Sequence, residues 1–351
     1  MKRTRAESLG AVIAATWLVL LAAVDLVIPM NIAPDPLFAL APLAAAAVLS
    51  ARATAGFAVA AAALVVLSGL DNQKWDTTQQ WVLLLDVVLF GALAVVIAEV
   101  RVRRERRFAH VATIAEVAQR AVLPSLPSEA ADVRVTARYQ SAVEDTVVGG
   151  DLYDASLVGC RTRFLVGDVR GKGIAAVEQA ARVIRAFRQA AAVQTSLPDV
   201  AHDMDAYLTP FMGDEDFATA LMVDASHRGR VTLLACGHPP PMLVRPDGTA
   251  ELLTVLPGLP LGLGAGGEPV TFPWRAGDRV LLYTDGLSEA RDERGRFLPL
   301  LELAPTLSAS PPDVALDGVL EIVRRHVKGG QLGDDLAIVL LENTVGGVPH
   351  I

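Results

Sequence analysis

The stretch TRFLVGDVRGKG, residues 162–173, is an apolar run that stops on an acid and passes through glycines into an Ala-rich segment. Its apolar half reads as a β-strand ending at Asp168. Gly171 and Gly173 let the chain turn sharply into a helix with no Cβ in the way. Residues 174–193 supply that helix, with Ile174, Val177, Ala181, Ile184 and Ala191 near one face. A phosphate loop is excluded, because G-x-x-x-x-G-K-[ST] is missing. A dinucleotide fingerprint is excluded as well, because the segment does not fit G-x-G-x-x-G.

The neighbouring segments extend the pattern. DVRVTARYQSA (132–142) alternates as a strand does, and VVGGDLYDASLV (147–158) is a Gly-Gly turn, an acid and a strand-like run. A second helix begins at Ser196, an N-cap with Pro198 in the first turn. Val200, Met204, Leu208 and Phe211 are expected on its buried side. Strands return at 217–225, 230–238 and 241–248, the last closing in a Pro-Asp-Gly turn. DRVLLYTDGLSEARD (278–292) is a strand that stops on Asp285. Residues 311–327 form a helix, and GDDLAIVLLE (333–342) places two acids before a final strand. Strands, two helices, strands, a helix and a strand describe an α+β layered design, not an alternating parallel sheet.

Four acids, Asp151, Asp168, Asp285 and Asp334, each stand at the end of a strand beside glycine. Carboxylates brought together raise one another's pKa unless a positive charge sits among them. Hard oxygen ligands select Mg²⁺ or Mn²⁺, and neither His nor Cys stands at zinc-ligand spacing. Four acids can hold two ions, and two ions can deprotonate a water and clamp a phosphoryl group for in-line attack. In this reading Asp168 bridges the metals and the Val169 carbonyl adds a ligand. Arg170 and Lys172, beside Asp168, are candidates to touch phosphate or to be solvated turn residues. His238, ahead of three prolines, reads as a turn-fixing hydrogen-bonder.

The first hundred residues are different in kind. Apolar stretches at about 10–30, 34–51, 53–70 and 80–99 predict four membrane helices, the second interrupted by Pro42. A cleaved signal peptide would not be followed by three more such stretches. Lys2, Arg3, Arg5, Arg52 and Arg101, Arg103, Arg104, Arg106 and Arg107 flank one side. The loops on the other side, about 31–35 and 71–79, hold only Lys74 against Asp35, Asp71 and Asp76. The positive-inside rule then places both termini in the cytoplasm. Asp25 and Asp86 fall toward the predicted outer ends.

The net charge of −8 is uneven: residues 1–107 carry +2 and residues 108–351 carry −10. An acidic soluble part excludes a nucleic-acid groove. Cys160 and Cys236, far apart, make no disulfide framework. Residues 101–123 read as one helix leaving the membrane. Phe108, Val111, Ala115, Ala118 and Val122 form a two-heptad seam that suits either a homodimer or packing on the chain's own catalytic domain. LPSLP (123–127) stops that helix. The expected organisation is a four-helix transmembrane domain over 1–100, a connecting helix over 101–127 and a catalytic domain over 128–345.

Taken in order, VVGGDLYDA, FLVGDVRGKGIAA, FATALMVDA, LLACGHPPPMLV, LPLGL, GDRVLLYTDGLSEARD and GDDLAIVLL resemble the bacterial SpoIIE/RsbU-like branch of the metal-dependent PPM serine/threonine phosphatases. The resemblance spans about 120–343. It implies an αββα sandwich of two antiparallel sheets with helices outside, and Mn²⁺ or Mg²⁺ as cofactor. It carries the bridging acids to Asp151 and Asp168, the TDG ligand to Asp285 and the last ligand to Asp334, with Asp335 as the alternative. QRAVLPSLP (119–127) resembles the segment that joins sensory region to catalytic core, and the helix after GKG resembles a regulatory switch. The implied protein is a multi-pass plasma-membrane phosphatase with a cytoplasmic catalytic domain. Water activated between two ions would attack phosphoserine or phosphothreonine on a regulatory protein such as an anti-anti-sigma (STAS) factor. The alternative is a catalytically inactive module that binds a phosphorylated partner.

Overall fold

The computed structural model describes residues 2–27, 35–71, 77–142, 149–213, 215–330 and 332–345. Contacts divide the chain into two units, Met1–His110 and Val111–Ile351.

The first unit holds helices α1 (Lys2–Val27), α2 (Leu40–Val48) and α3 (Ala51–Asp71), with a 3-10 turn at Asp35–Ala39. It also holds the start of α4 (Thr78–Val122). Small residues meet at the contacts: Ala14, Ala41, Ala45, Ala61, Ala94 and Ala98 are fully buried, while Val19, Val59, Leu85 and Ile97 face outward. Leu18, Leu21, Phe38, Val65 and Val87 are also buried. Two helices, Ala51–Leu70 and Thr78–Arg107, are long and apolar enough to cross a bilayer, and only 28% and 22% of their residues are buried.

The expected second crossing at 34–51 is corrected. Helix α2 has nine residues and rises about 14 Å, under half of a bilayer's ~30 Å hydrocarbon core. Ser50 ends the run. Its carbonyl accepts from Thr54 N at 2.9 Å and its hydroxyl from Ala53 N at 3.3 Å, so it caps α3 rather than continuing α2. Arg101 of α4 donates to the carbonyls of Ala46 (3.1 Å) and Leu49 (2.5 Å), satisfying the open end of α2. The apolar part of α1, Ser8–Val24, is also shorter than the two long helices. Asp86 lies half-buried within α4. The side chains of Asp25, Phe108, Val111, Ala115 and Ala118, and all of Lys74 and Asp76, lie outside the described residues.

The second unit is two antiparallel sheets. One contains β1 (Glu129–Ala130), β2 (Val133–Gln140), β7 (Met242–Val244), β8 (Ala250–Leu252), β11 (Arg279–Tyr283) and β12 (Leu336–Asn343), in the order β1-β2-β12-β11-β7-β8. The other contains β3 (Leu152–Val158), β4 (Arg161–Val169), β5 (Ala218–Asp224), β6 (Arg230–Cys236) and β10 (Val270–Pro273), in the order β10-β6-β5-β4-β3. The short strand β9 (Pro257–Gly258) pairs with β6. Alternation along each strand sorts the residues. Phe164, Val166, Leu221, Val223, Val280, Leu282, Val339 and Leu341 fill the space between the sheets. Leu165, Val169, Met222 and Leu234 face α5 (Ile174–Val193) and α6 (Leu197–Leu208). Leu281, Leu336, Ile338 and Leu340 face α8 (Ala304–Ala309) and α9 (Pro312–His326). The architecture is thus the mixed α+β sandwich, helix–sheet–sheet–helix.

Local departures from the sequence reading have simple causes. Ile174 is 47% exposed because it opens α5 ahead of the buried face that runs from Ala176 to Ala191. Phe211 is 47% exposed because α6 ends at Leu208 and a 3-10 turn carries it outward. Cys160 is exposed in the β3–β4 turn, and Cys236 is buried. Val122 packs partly buried against the α5–α6 core.

Arg163 is the one large charged side chain fully enclosed in this unit's described core. From β4 it pairs with Asp224 of β5 at 2.8 Å. It also donates to the carbonyls of Ala191, Gln194 and Thr195, the open end of α5 and the turn into α6. Removing it takes the ion-pair partner from a partly buried carboxylate, which keeps only its bond from Ser226, and a donor from three carbonyls at once. Arg163→Met is therefore expected to destabilise the unit by about 3–5 kcal/mol. Urea unfolding of the full chain in detergent, followed by circular dichroism, checks this.

Candidate metal centre

The strand register builds the site. Leu152 pairs with Gly167 across β3 and β4, so one step further Asp151 stands opposite Asp168, both on the face between the sheets. The next pair is Gly150 and Val169, joined by Val169 N–H donating to the Gly150 carbonyl at 3.2 Å. Asp285 comes from the other sheet, at the first residue of the short helix α7 (Asp285–Ser288) that follows β11. Oxygens of Asp151, Asp168 and Asp285 all lie within 4.8 Å of one another.

Burial and mutual repulsion both disfavour the charged form of three carboxylates at that spacing. Burial, then the Asp168 charge, pushes Asp151 well above the ordinary carboxylate range. Asp168 is pushed up to about 7 by burial, then by Asp285 and Asp334. Asp285 is raised by burial, then by Asp334 and Glu289. Thr284, just before Asp285, donates to Asp151 at 2.6 Å and accepts from Ala337 N–H at 3.0 Å. It thereby ties the two sheets together at the acids. Thr284 was not singled out from sequence, although its place in YTDG was visible.

The structure separates the two acids of Gly-Asp-Asp. Asp335 is buried and accepts from Gly149 N (2.7 Å), Ala142 N (2.7 Å), Ser141 Oγ (3.2 Å) and the Tyr139 hydroxyl. Burial and the Asp335 charge raise the Tyr139 phenol. Asp334 is 47% exposed, acts electrostatically on both Asp168 and Asp285, and pairs with Lys172 at 2.8 Å. Of the two candidate phosphate-contacting bases, Arg170 is occupied by Glu215 (3.1 Å) and the Phe217 ring, and Lys172 by Asp334.

Glycine is required where these segments meet. A Cβ at Gly150 would lie 2.2 Å from the Val169 carbonyl oxygen, and one at Gly286 would lie 1.9 Å from that of Asp335. Gly171 (φ 105°) and Gly173 (φ 89°) take the positive angles that the turn into α5 needs. His238 is not aimed at the acids. Its Nδ1 lies 2.9 Å from Thr219 Oγ1 of β5, and its Nε2 lies 3.0 Å from the Tyr283 carbonyl of β11. Both nitrogens are used, one toward each sheet, and burial pulls its pKa down to about 4.

The sequence matches the family model for stage II sporulation protein E (SpoIIE) over residues 159–344, and the chain belongs to that family. The RsbU and RsbW domains of a Mycobacterium tuberculosis protein are similar to it at 29% identity and a TM-score of 0.55, over 63% of this chain and 62% of that one. The PP2C phosphatase domain and regulatory fragment of SpoIIE from Bacillus subtilis match at 20% identity and a TM-score of 0.51, over 60% and 63%. The SiaA PP2C domain of Pseudomonas aeruginosa matches at 18% identity and a TM-score of 0.57, over 70% and 99%. The chain spans under two thirds of the length of the first two. Its second unit has the PPM phosphatase fold and is homologous to the PP2C/PPM serine/threonine phosphatases.

Two outcomes follow from the packing. Gly286→Ala, which forces the Asp285 and Asp335 backbones apart, is expected to abolish Mn²⁺ uptake in calorimetric titration. His238 stays neutral when folded, so its contribution is complete above its ordinary pKa of 6.5 and is lost as pH falls toward about 4. That gap corresponds to roughly 3 kcal/mol. Melting temperature measured from pH 7 to pH 4.5 should fall more steeply in the wild type than in His238→Asn.

Proposed function

We propose that the chain is a membrane-anchored, metal-dependent serine/threonine protein phosphatase acting on a phosphorylated regulatory protein, such as an anti-anti-sigma (STAS) factor. The observation that carries the reading is the convergence of Asp151, Asp168 and Asp285 within 4.8 Å. The donor set fits Mn²⁺ or Mg²⁺: it is all carboxylate oxygen, and repulsion within it calls for positive charge. Two such ions, when bound, supply Lewis acidity and an acidified water for attack on phosphorus.

The chain's own residues do the rest. Asp151 and Asp168, opposite each other on paired strands, would hold the ions together with Asp285; Asp334, which stands outside that trio and pairs with Lys172, would complete the set. The Val169 carbonyl is the remaining ligand candidate. Thr284 orients Asp151 by its hydrogen bond. Lys172, held beside the cluster by Asp334, is placed to meet an anionic phosphoryl group. Asp335 fixes the backbone on either side and is a positioning residue, not a ligand. The likeness to an RsbU domain at 29% identity supports a regulatory phosphoprotein as substrate.

Residues 1–100 are the membrane domain in this reading, 101–127 the connecting segment and 128–345 the phosphatase. Arg52 opens α3, and Arg101 through Arg107 follow the apolar run of α4. A hairpin of these two helices puts both basic groups on one side, the cytoplasmic side by the positive-inside rule. The catalytic unit follows α4 on that side.

Full-length chain in detergent is expected to hydrolyse p-nitrophenyl phosphate with Mn²⁺, to stop on chelation and to recover when Mn²⁺ is restored. Asp168→Asn should lower turnover by about 100-fold or more, and undiminished turnover would refute the assignment. Asp334→Asn should weaken Mn²⁺ binding without lowering the melting temperature, whereas Asp335→Asn should lower the melting temperature, because an amide N–H replaces one carboxylate oxygen and faces the two donors that oxygen accepted from.

A further inference from the structure

Asp151 follows two glycines, and the first of them is held from both sides. Gly149 N–H donates to Asp335 Oδ2 at 2.7 Å. Its carbonyl accepts from Gln119 Nε2 at 3.2 Å. Gln119 is only 3% exposed, so its amide is costly to leave without a partner. It belongs to the last turn of α4 and precedes the LPSLP segment. Its side chain also reaches the Tyr139 phenol, whose hydroxyl donates to Asp335. A ring of contacts therefore runs from Gln119 to the Gly149 carbonyl, through Gly149 N–H to Asp335, and back through Tyr139. No Cβ fits at Gly149, where it would lie 2.7 Å from Asp335 Oδ2.

One wall of this ring is open. A cavity of about 530 Å³ lies between the segment after α4 and strand β2, lined by Gln119, Leu123, Leu126, Thr136, Tyr139 and Ser141 among others. Gln119 lines this cavity, and its hydrogen bonds to the Gly149 carbonyl and the Tyr139 phenol fix the direction of its amide.

Resting on the metal reading above, we infer that Gln119 is a positioning residue for Asp151. Its amide fixes the Gly149 peptide, and through Gly150 it fixes the direction in which Asp151 presents its oxygens. Removing the N–H donor leaves the Gly149 carbonyl unpaired and the turn held from the Asp335 side alone. Metal affinity then falls while the fold is kept.

The test is Mn²⁺ titration by calorimetry on the full-length chain in detergent. It compares wild type, Gln119→Met, Gln119→Glu, Tyr139→Phe and Asp151→Asn, with melting temperatures recorded in chelator. Gln119→Met and Gln119→Glu keep the length of the side chain and lose the donor. Both are expected to bind Mn²⁺ about 10-fold more weakly, the usual cost of losing an outer partner of a ligand, while the metal-free chain still melts cooperatively, at a temperature lowered by the unpaired Gly149 carbonyl. Turnover of p-nitrophenyl phosphate should return as Mn²⁺ is raised, which a folding defect would not allow. Tyr139→Phe, expected to weaken binding in the same way, decides the matter if the Gln119 variants do not fold. Wild-type affinity in both the Gln119 and the Tyr139 variants overturns this inference alone. A wild-type chain that takes up no Mn²⁺, or an Asp151→Asn variant that binds as well as wild type, overturns the metal reading and this inference with it.

Discussion

The antiparallel register of β3 and β4 sets two carboxylates against each other, and the second sheet delivers a third. Like charges directly opposite on paired strands are unfavourable, and here they are also withdrawn from water. The cost is met either by holding protons or by holding cations. Burial first, and then the neighbouring carboxylates, raise the pKa of Asp151, Asp168 and Asp285.

The surrounding structure keeps the acids from moving apart. Hydrophobic packing between the sheets fixes their separation, and cross-sheet hydrogen bonds set the end of the sandwich where the acids lie. Thr284 reaches Asp151 from one sheet to the other. His238 spans Thr219 and the Tyr283 carbonyl. Glycines at 150 and 286 let backbone segments approach more closely than any side chain permits. The acids stand at strand ends and at a helical turn, so a rigid scaffold carries them, as a preorganised site requires. Lys172 and Asp334, both partly exposed, form the open side.

Much of this was legible in the sequence, for physical reasons. Apolar runs of period two ending on Asp-Gly or Gly-Asp mark strands whose ends approach other backbone, and α5 was readable from its 3.6-residue period. Asp151, Asp168 and Asp285 were identifiable because each adjoins a glycine that the close approach demands. The two acids of Gly-Asp-Asp were not separable, since only the folded contacts show Asp335 turned inward to four donors. Gln119 and Tyr139 were equally silent: their partners lie 30 and 196 residues away, and no local pattern announces such a pairing. The nine-residue α2 was masked by composition, because alanine and leucine score alike in a long helix and in a short one stopped by Ser50.

The most direct measurement is anomalous scattering at the manganese edge from crystals of the full-length chain grown with Mn²⁺. Two peaks are predicted among the oxygens of Asp151, Asp168, Asp285 and Asp334, with none on Asp335. Manganese bound elsewhere, or absent from this cluster with the carboxylates turned away from one another, would contradict the account.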